Sequence, residues 1–460
     1  MRIGMWMQFH ENPKVIAWWQ TQFGPVLDWL TPLRRRMILA VLALYACFKE
    51  LRKAVRDVSL PLDLPQTTTE QFLVVLILLV LSWLIFRVAA NFPRLPGLAR
   101  KHPQICLHGI YWGLLALIWW GSAAAGPWRS IVLAVGLMFP FMLWRFGYMM
   151  IAAQYGRIAG TRFSDHLLVL WPVYGGSNTP YGNGLGFLAR AEAKDRESLA
   201  QSQLAGIKLI LLGTFLDMVR GAFKAFVYGH GTWLTEAWGG LTLGIPKLDN
   251  LVAAGGAASS PWLAWLSVYC ELIFQVLRHA ITGHMIIGVV RLAGFNVFRN
   301  TYKPLLAESI IEFWNRYYFY FKELMANFFF LPTFGGLGGT LRNWPNLRLF
   351  LAVFAAAFVG NMYYHLLNLN EHLVAGHVVE AVHSLRSRFF YCFLLALGIF
   401  ISMLRVQRRG SQPLPPENLR RFLRIAGVWT FFGLIFIWNA KGGGDFTTRV
   451  SFFFSLFGLS

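Results

Sequence analysis

Residues 72–90 read FLVVLILLVLSWLIFRVAA, 19 residues with a single charge. A helix crosses the hydrocarbon core of a bilayer in about 20 mostly apolar residues, and backbone in lipid must satisfy its own hydrogen bonds. Such runs recur along this chain. Residues 105–125 form one, and residues 128–153 form another with Arg145 inside it. Residues 204–228 carry Lys208, Asp217, Arg220 and Lys224, and residues 262–292 hold Glu271, Arg278, His279 and His284. Residues 347–369 are apolar until His365, and 389–404, 422–438 and 446–459 complete the series. This predicts an all-α, polytopic integral membrane protein with about nine to eleven membrane helices, some re-entrant or broken, around a central tunnel. Charged residues are 14% of the 460, against about 25% in a soluble fold, so a soluble globule and a disordered chain are both excluded.

The charge that remains is one-sided: 42 Lys and Arg against 21 Asp and Glu. It is spread between the apolar runs, which points to loops facing an anionic leaflet. No nucleic-acid partner is expected. Arg94, Arg100 and Lys101 form one basic connection, and Arg405, Arg408 and Arg409 form another ahead of the breaker Pro413-Leu414-Pro415-Pro416. Both are expected on the cytoplasmic side. Residues 1–60 read as an N-terminal interfacial or re-entrant region, because residues 37–48 are too few to cross a bilayer unaided and are followed by Lys49, Arg52 and Lys53 rather than a cleavage site. Residues 61–460 read as one polytopic domain. Cys47, Cys106, Cys270 and Cys392 are far apart in apolar surroundings, as buried small side chains are. The run Gly335 to Gly339 lacks the Lys-Ser/Thr of a phosphate loop and reads as a bend.

Polar residues at membrane depth are costly and mark functional sites. Two places carry them. LLAESIIEFWNRYYFYFKE, at 305–323, sets Glu308, Glu312, Asn315, Arg316, Lys322 and Glu323 among large aromatics. On one continuous helix Glu308, Glu312 and Arg316 share a face, and Glu312 and Arg316 can pair. An interfacial helix with an aromatic belt accounts for the same pattern. The second place is GNMYYHLLNLNEHLVAGHVVEAVH, at 360–383, where His365 closes an almost uncharged run and His372, His377 and His383 come after it. Imidazole exchanges a proton near neutral pH, but a hydrogen-bonded core histidine fits the pattern too. The HxxxH and HxxHH strings of membrane di-iron oxygenases are absent, so no metal site is expected.

Taken together, these segments resemble membrane-bound O-acyltransferases (MBOAT), in the bacterial branch with alginate O-acetylation proteins and the teichoic acid D-alanyl transferase. That branch carries Pro-x-x-Ala-x-Ser-x-x-(Asp/Glu)-Phe-Trp-x-Arg-Trp-His, which Pro304, Ala307, Ser309, Glu312, Phe313, Trp314 and Arg316 match in order. Pro332 and the glycine run match the family's amphipathic stretch ending in Pro and glycines, and His365 stands where the family has its catalytic histidine. The stretch LWPVYGGSNTPYG at 170–182 resembles an upstream family feature loosely. The likeness is sharp over residues 294–368. Tyr318 departs from the polar residue that closes the family string, and Tyr364 replaces the usual Trp before the histidine.

The resemblance implies an O-acyltransferase moving a short acyl group, such as acetyl, from a thioester to a hydroxyl, with His365 as general base. Tyr318 and Asn315 are candidates to hold the carbonyl or orient the imidazole. Glu312 and Arg316 are expected as a structural ion pair. The donor is acyl-CoA or an acyl-carrier thioester, with no bound cofactor. The acceptor is an envelope glycan, a lipid or a small metabolite. Beyond the lipid bilayer, an extracytoplasmic partner protein is a candidate, and the bacterial inner membrane is the expected location. Two other readings stay open: a non-catalytic or transport subunit of an envelope-modifying complex, and a membrane oxidoreductase with histidine-ligated metal or haem.

Overall fold

The computed structural model describes residues 8–121, 126–167, 179–229, 239–256, 260–410, 418–439 and 444–459. These are almost wholly helical: α1 (Pro32–Asp57), α2 (Thr68–Ala90), α3 (Pro103–Gly121), α4 (Arg129–Gln154), α5 (Arg196–Tyr228), α6 (Pro261–Leu292), α7 (Ile310–Tyr317), α8 (Phe319–Met325), α9 (Pro345–Phe354), α10 (Asn361–Leu367), α11 (Asn370–Val374), α12 (Arg386–Arg409), α13 (Asn418–Phe436) and α14 (Phe446–Ser455). Two π-helical stretches, Ala326–Phe330 and Ala355–Gly360, continue α8 and α9 without a break. The protein is an all-α polytopic membrane protein. Among the described residues seven helical stretches are long and apolar enough to cross a bilayer: α2, α4 with its preceding turn, α5, α6, α9 through α10, α12 and α13 with its last turn.

Of the other expected membrane segments, 105–125 carries the 19-residue α3 as far as Gly121, with 122–125 outside the described residues, and 446–459 carries the 10-residue α14. The opposite happens at the N-terminus. The apolar run 37–48 sits inside the 26-residue α1, because Arg34 to Arg36 and Lys49 to Arg56 continue the same helix at both ends. Segment 168–178, which includes much of the upstream resemblance, lies outside the described residues, as does the breaker at 413–416.

The chain divides into two compact units. The first takes residues 1–210, 286–298 and 365–382; the second takes 211–285, 299–364 and 383–460. In the first, α4 packs against α2, α3 and α11 and is enclosed on nearly every side, while each of the other six spans buries less than half of its apolar window. A small residue makes the enclosure possible: a Cβ at Gly136 would lie 2.8 Å from Ile118 and 3.2 Å from Val374. The crossing of α5 and α6 uses the same device. A Cβ at Gly206 would meet the Gly288 carbonyl at 2.7 Å, and one at Gly288 would meet Ile210 at 2.6 Å. In lipid, such close approach supplies the contacts that hydrophobic burial supplies in water.

The N-terminal region is fastened to this unit. The buried Arg35 guanidinium donates to the carbonyls of Ala193 (2.8 Å) and Gly294 (3.5 Å). Arg36 pairs with Glu192 at 2.5 Å and approaches Asp165 at 3.8 Å. The Trp19 indole N–H donates to Gln203 at 2.8 Å, and Ile16 and Leu27 pack with Leu199, Ala200 and Leu204.

In the second unit α12 packs against α7, α9, α13 and the π stretch 355–360. A phenylalanine ladder lines the contact of α9 and its π stretch with α12. Phe354 and Phe358 meet at 4.7 Å, Phe358 and Phe389 at 4.7 Å, and Phe350 and Phe400 at 5.1 Å. Aromatic pairs at these separations add to packing beyond their area.

Candidate active site

The polar string does not form one helix. Ser309 is the N-cap of α7: its hydroxyl accepts the Glu312 N–H at 3.2 Å, while the Glu312 carboxylate accepts the Glu308 N–H at 2.6 Å. Reciprocal capping of this kind sets where a helix starts. Glu308 therefore precedes the helix, and the expectation that it shares a face with Glu312 and Arg316 is corrected. Its carboxylate is held from α13 instead, by Arg421 at 3.0 Å and Arg424 at 2.8 Å. Glu312 and Arg316 do pair, at 2.5 Å. Arg316 also donates to the Lys303 carbonyl at 3.4 Å. Asn315 lies on the exposed side of α7.

The helix stops at Tyr317, and Tyr318 (φ −145°, ψ 77°) turns the chain into α8. No proline or glycine forces the break. A break orphans carbonyls on one side and N–H groups on the other, and segment 300–302 satisfies them. The Arg316 carbonyl accepts the Tyr302 N–H at 2.8 Å, and the Tyr317 carbonyl accepts the Thr301 hydroxyl at 3.0 Å. The Phe319 N–H donates to the Asn300 carbonyl at 2.9 Å, and the Tyr320 N–H donates to Asn300 Oδ1 at 3.3 Å. Asn300 and Thr301 are both buried. The sequence pattern gives no sign of this brace.

The break aims Tyr318 at an imidazole. The His279 ring, on α6, lies 5.3 Å from the Tyr318 ring and 4.9 Å from the Tyr317 ring. Tyr318 stacks on Phe321 at 5.5 Å, and Phe321 meets Tyr364 edge-on at 4.8 Å. A line of rings thus runs from His279 through Tyr318 and Phe321 to Tyr364, the residue before His365. His279 stood out in the sequence only as one polar residue of four in its apolar run. Nothing there linked it to a string some 40 residues on.

His365 is half-buried on α10. It belongs to the first unit, whereas Asn315, Glu312, Arg316 and Tyr318 belong to the second. The helical run leading to it contains the π turn Ala355–Gly360, and the facing π turn Ala326–Phe330 packs on that one. The closest point is Gly360, where a Cβ would lie 2.5 Å from the Phe329 ring. π turns cost helix stability and are concentrated at functional sites. Further along, Glu371 accepts from the Ser59 N–H (2.8 Å) and hydroxyl (3.0 Å), which makes it a structural anchor. Of the four cysteines, all free thiols, Cys47, Cys270 and Cys392 are buried.

No family model matches the chain. Curated relatives do. "Probable alginate O-acetylase" of Pseudomonas fluorescens is 28% identical over 88 residues, which is 19% of this chain and 17% of that protein. The proteins of the same description from Pseudomonas aeruginosa and Azotobacter vinelandii are each 27% identical over 88 residues, 19% of this chain and 16% and 17% of theirs. The shared stretch is thus about a sixth of the relatives' own length. It supports the alginate side of the resemblance and adds nothing to the teichoic acid side. The chain is an integral membrane protein with a partial likeness to membrane acyltransferases.

Proposed function

We propose that this protein is a membrane-embedded O-acyltransferase that moves an acetyl or other short acyl group from a thioester to a hydroxyl of a cell-envelope glycan. The 88-residue likeness to alginate O-acetylases carries the reading. His365 acts as general base. Its imidazole takes the proton of the acceptor hydroxyl as that oxygen attacks the thioester carbonyl. The C–O bond forms, the C–S bond breaks, and the imidazolium returns its proton to the departing thiolate. No covalent acyl-enzyme is needed. The enzyme's remaining task is to stabilise the charge that develops on the carbonyl oxygen. Tyr318 supplies a phenol for that work, and His279 beside it is the group that can orient it. Asn315, on the exposed side of its helix, is the weaker helper. Glu312 and Arg316 hold the start and end of α7 rather than take part in chemistry.

The donor is acyl-CoA or an acyl-carrier thioester, and the protein works in the bacterial inner membrane. The test uses purified protein, labelled acetyl-CoA and a panel of envelope glycans. Wild type is expected to label at least one acceptor, and His365→Ala to abolish the transfer while the purified variant still folds. If His365→Ala keeps full transfer, the base assignment is wrong. If wild type labels nothing across thioester donors and glycans, the function is wrong.

A further inference from the structure

Helix α1 does not lie along one face of the first unit. Its start is docked where α2 and α4 end. Arg36 pairs with Glu192 and approaches Asp165. Asp165 stands between Phe163 and His166, whose rings lie 5.8 and 5.1 Å from Phe86, near the end of α2. Phe86 in turn packs with Met149, Met150 and Ala153, from the last turns of α4. The other end of α1 is docked at the opposite limit. Ser59, just past it, is bonded to Glu371 through both its N–H and its hydroxyl. Leu60, Pro61 and Asp63 surround one cleft with Trp119, near the end of α3, and Arg129, the first residue of α4. Between these limits Ala43, Leu44 and Cys47 meet Leu78, Leu79 and Met142, from the middle of α2 and of α4, around a small cleft. Both α2 and α4 are long enough to span a bilayer. Helix α1 therefore runs antiparallel to them from one of their ends to the other.

Its apolar run is too short for that path. Only residues 37–48 separate Arg36 from Lys49, about 18 Å of helix, against a hydrocarbon core of about 30 Å. Leu78 and Leu79 lie midway between Glu70 and Arg87, the charges that bound the apolar part of α2, and they line one cleft with residues 43–47 of α1. Lys49, Arg52 and Lys53 thus stand only about 6–12 Å from the middle of the core, whose surface is about 15 Å away. All three are exposed, and among the described residues none has an ion pair. Arg35 and Arg36, at the other end, are held by carbonyls and by Glu192, and Arg56 is paired with Asp57 at 2.8 Å. A charge at membrane depth has to face a partner or water. Snorkelling carries a cation no further than its own side chain reaches, which leaves Lys49 short of the usual surface. A bilayer accommodates a short span by thinning around it, and phosphate is the anion its lipids bring. We infer that α1 is a membrane crossing of its own, beyond the seven long apolar spans. Beside it the leaflet opposite the connection of Arg94, Arg100 and Lys101 is thinned, with lipid phosphates and water drawn down to Lys49, Arg52 and Lys53. An acidic partner helix fits less well, because it would itself carry carboxylates into lipid.

The crossing is read on the full chain in spheroplasts with a membrane-impermeant maleimide. Gln22→Cys and Asp63→Cys, both at exposed positions, are compared with the unsubstituted chain. Asp63→Cys should label on intact spheroplasts and Gln22→Cys only after permeabilisation. Labelling of both from one face overturns the crossing. The thinning is read on purified protein in vesicles of phosphatidylcholine whose two monounsaturated chains run from fourteen to twenty-two carbons. Thermal stability should be highest in the short chains and fall towards the long ones. The triple variant Lys49→Leu/Arg52→Leu/Lys53→Leu should move the optimum to longer chains. Wild type that is indifferent to thickness or prefers long chains refutes the thinning, as does a triple variant with the wild-type optimum. Lys53→Cys keeps the test open should the triple variant fail to fold. A thiol reacts as its thiolate, which needs water, so in eighteen-carbon vesicles this position should react with the maleimide about as fast as Asp63→Cys. An unreactive Lys53→Cys means hydrocarbon at that level and sinks the proposal. Reaction in vesicles but shielding in cells would put a covering protein there in place of lipid, which sinks it too.

Discussion

Replacing Gly360 by alanine tests whether the two π turns set the position of His365. The added Cβ would lie 2.5, 2.7 and 2.8 Å from three ring carbons of Phe329. Carbon atoms pack at about 3.5–4.0 Å, so the ring and the helix must separate by about 1 Å. Overpacking of this size costs about 1–3 kcal/mol in a well-packed interior. Gly360 ends the π turn, and α10 with His365 begins at the next residue. The shift is therefore delivered to the base with no loop between to absorb it. A misplacement of about 1 Å at a reacting group can lower turnover about a hundredfold. Gly360→Ala should accordingly reduce kcat by about two orders of magnitude and leave KM for the donor nearly unchanged. Labelled acetyl transfer under saturating donor and acceptor reads this directly. A thiol-reactive dye tracks unfolding in parallel, since three of the four cysteines are buried. Trimming the obstacle should undo the damage: Phe329→Leu in the Gly360→Ala background restores turnover. The reasoning fails if Gly360→Ala alone stays within about twofold of wild type, or if the double variant is as slow as the single one.

Other perturbations address other parts of the structure. Glu308→Gln removes the carboxylate that holds Arg421 and Arg424 and should lower stability by about 1–3 kcal/mol, read as an earlier thermal transition. Asn300→Ala strips the acceptor from the Tyr320 N–H; leaving a buried donor unpaired costs about 1–3 kcal/mol, and the variant should lose stability and turnover together. His279→Gln should lower kcat and alter its pH profile while Tm stays near wild type, whereas a purely structural His279 would move Tm and leave the profile in place. His166, between α4 and α5, has its pKa pushed down to about 4 by burial, with Asp165 opposing the shift weakly. Its folded pKa is below its unfolded value, so the protein is favoured above about pH 6.5 and loses up to roughly 3 kcal/mol as pH falls towards 4. His166→Phe should flatten that slope in thermal scans between pH 7 and pH 4.

The spans were legible because lipid leaves so few options. An apolar run of sufficient length has one stable conformation there, and residues 72–90 needed no tertiary information. The Glu312–Arg316 pair was legible for a similar reason, since both partners lie one turn apart. What sequence concealed was long-range. Residues 310–325 have the periodicity of one helix, and the stop at Tyr318 exists because Asn300, Thr301 and Tyr302 take up the bonds it frees. Glu308 fell off the expected face because the capping bonds of Ser309 and Glu312 start the helix after it, and its partners come from α13. His279 joined the candidate site through ring contacts with Tyr317 and Tyr318 that no local pattern encodes.

The Arg35 clamp has a consequence for how the protein is made. Its two carbonyl acceptors arrive 158 and 259 residues later in the chain. At synthesis rates of about 5–20 residues per second, the second is roughly 10–50 s behind the first turn of α1. Until Ala193 is made, roughly 8–30 s after Arg35, the N-terminal helix carries a cation without either carbonyl acceptor, and the arrival of Gly294 completes the clamp later still. The start of this protein is thus among the last of its parts to be finished.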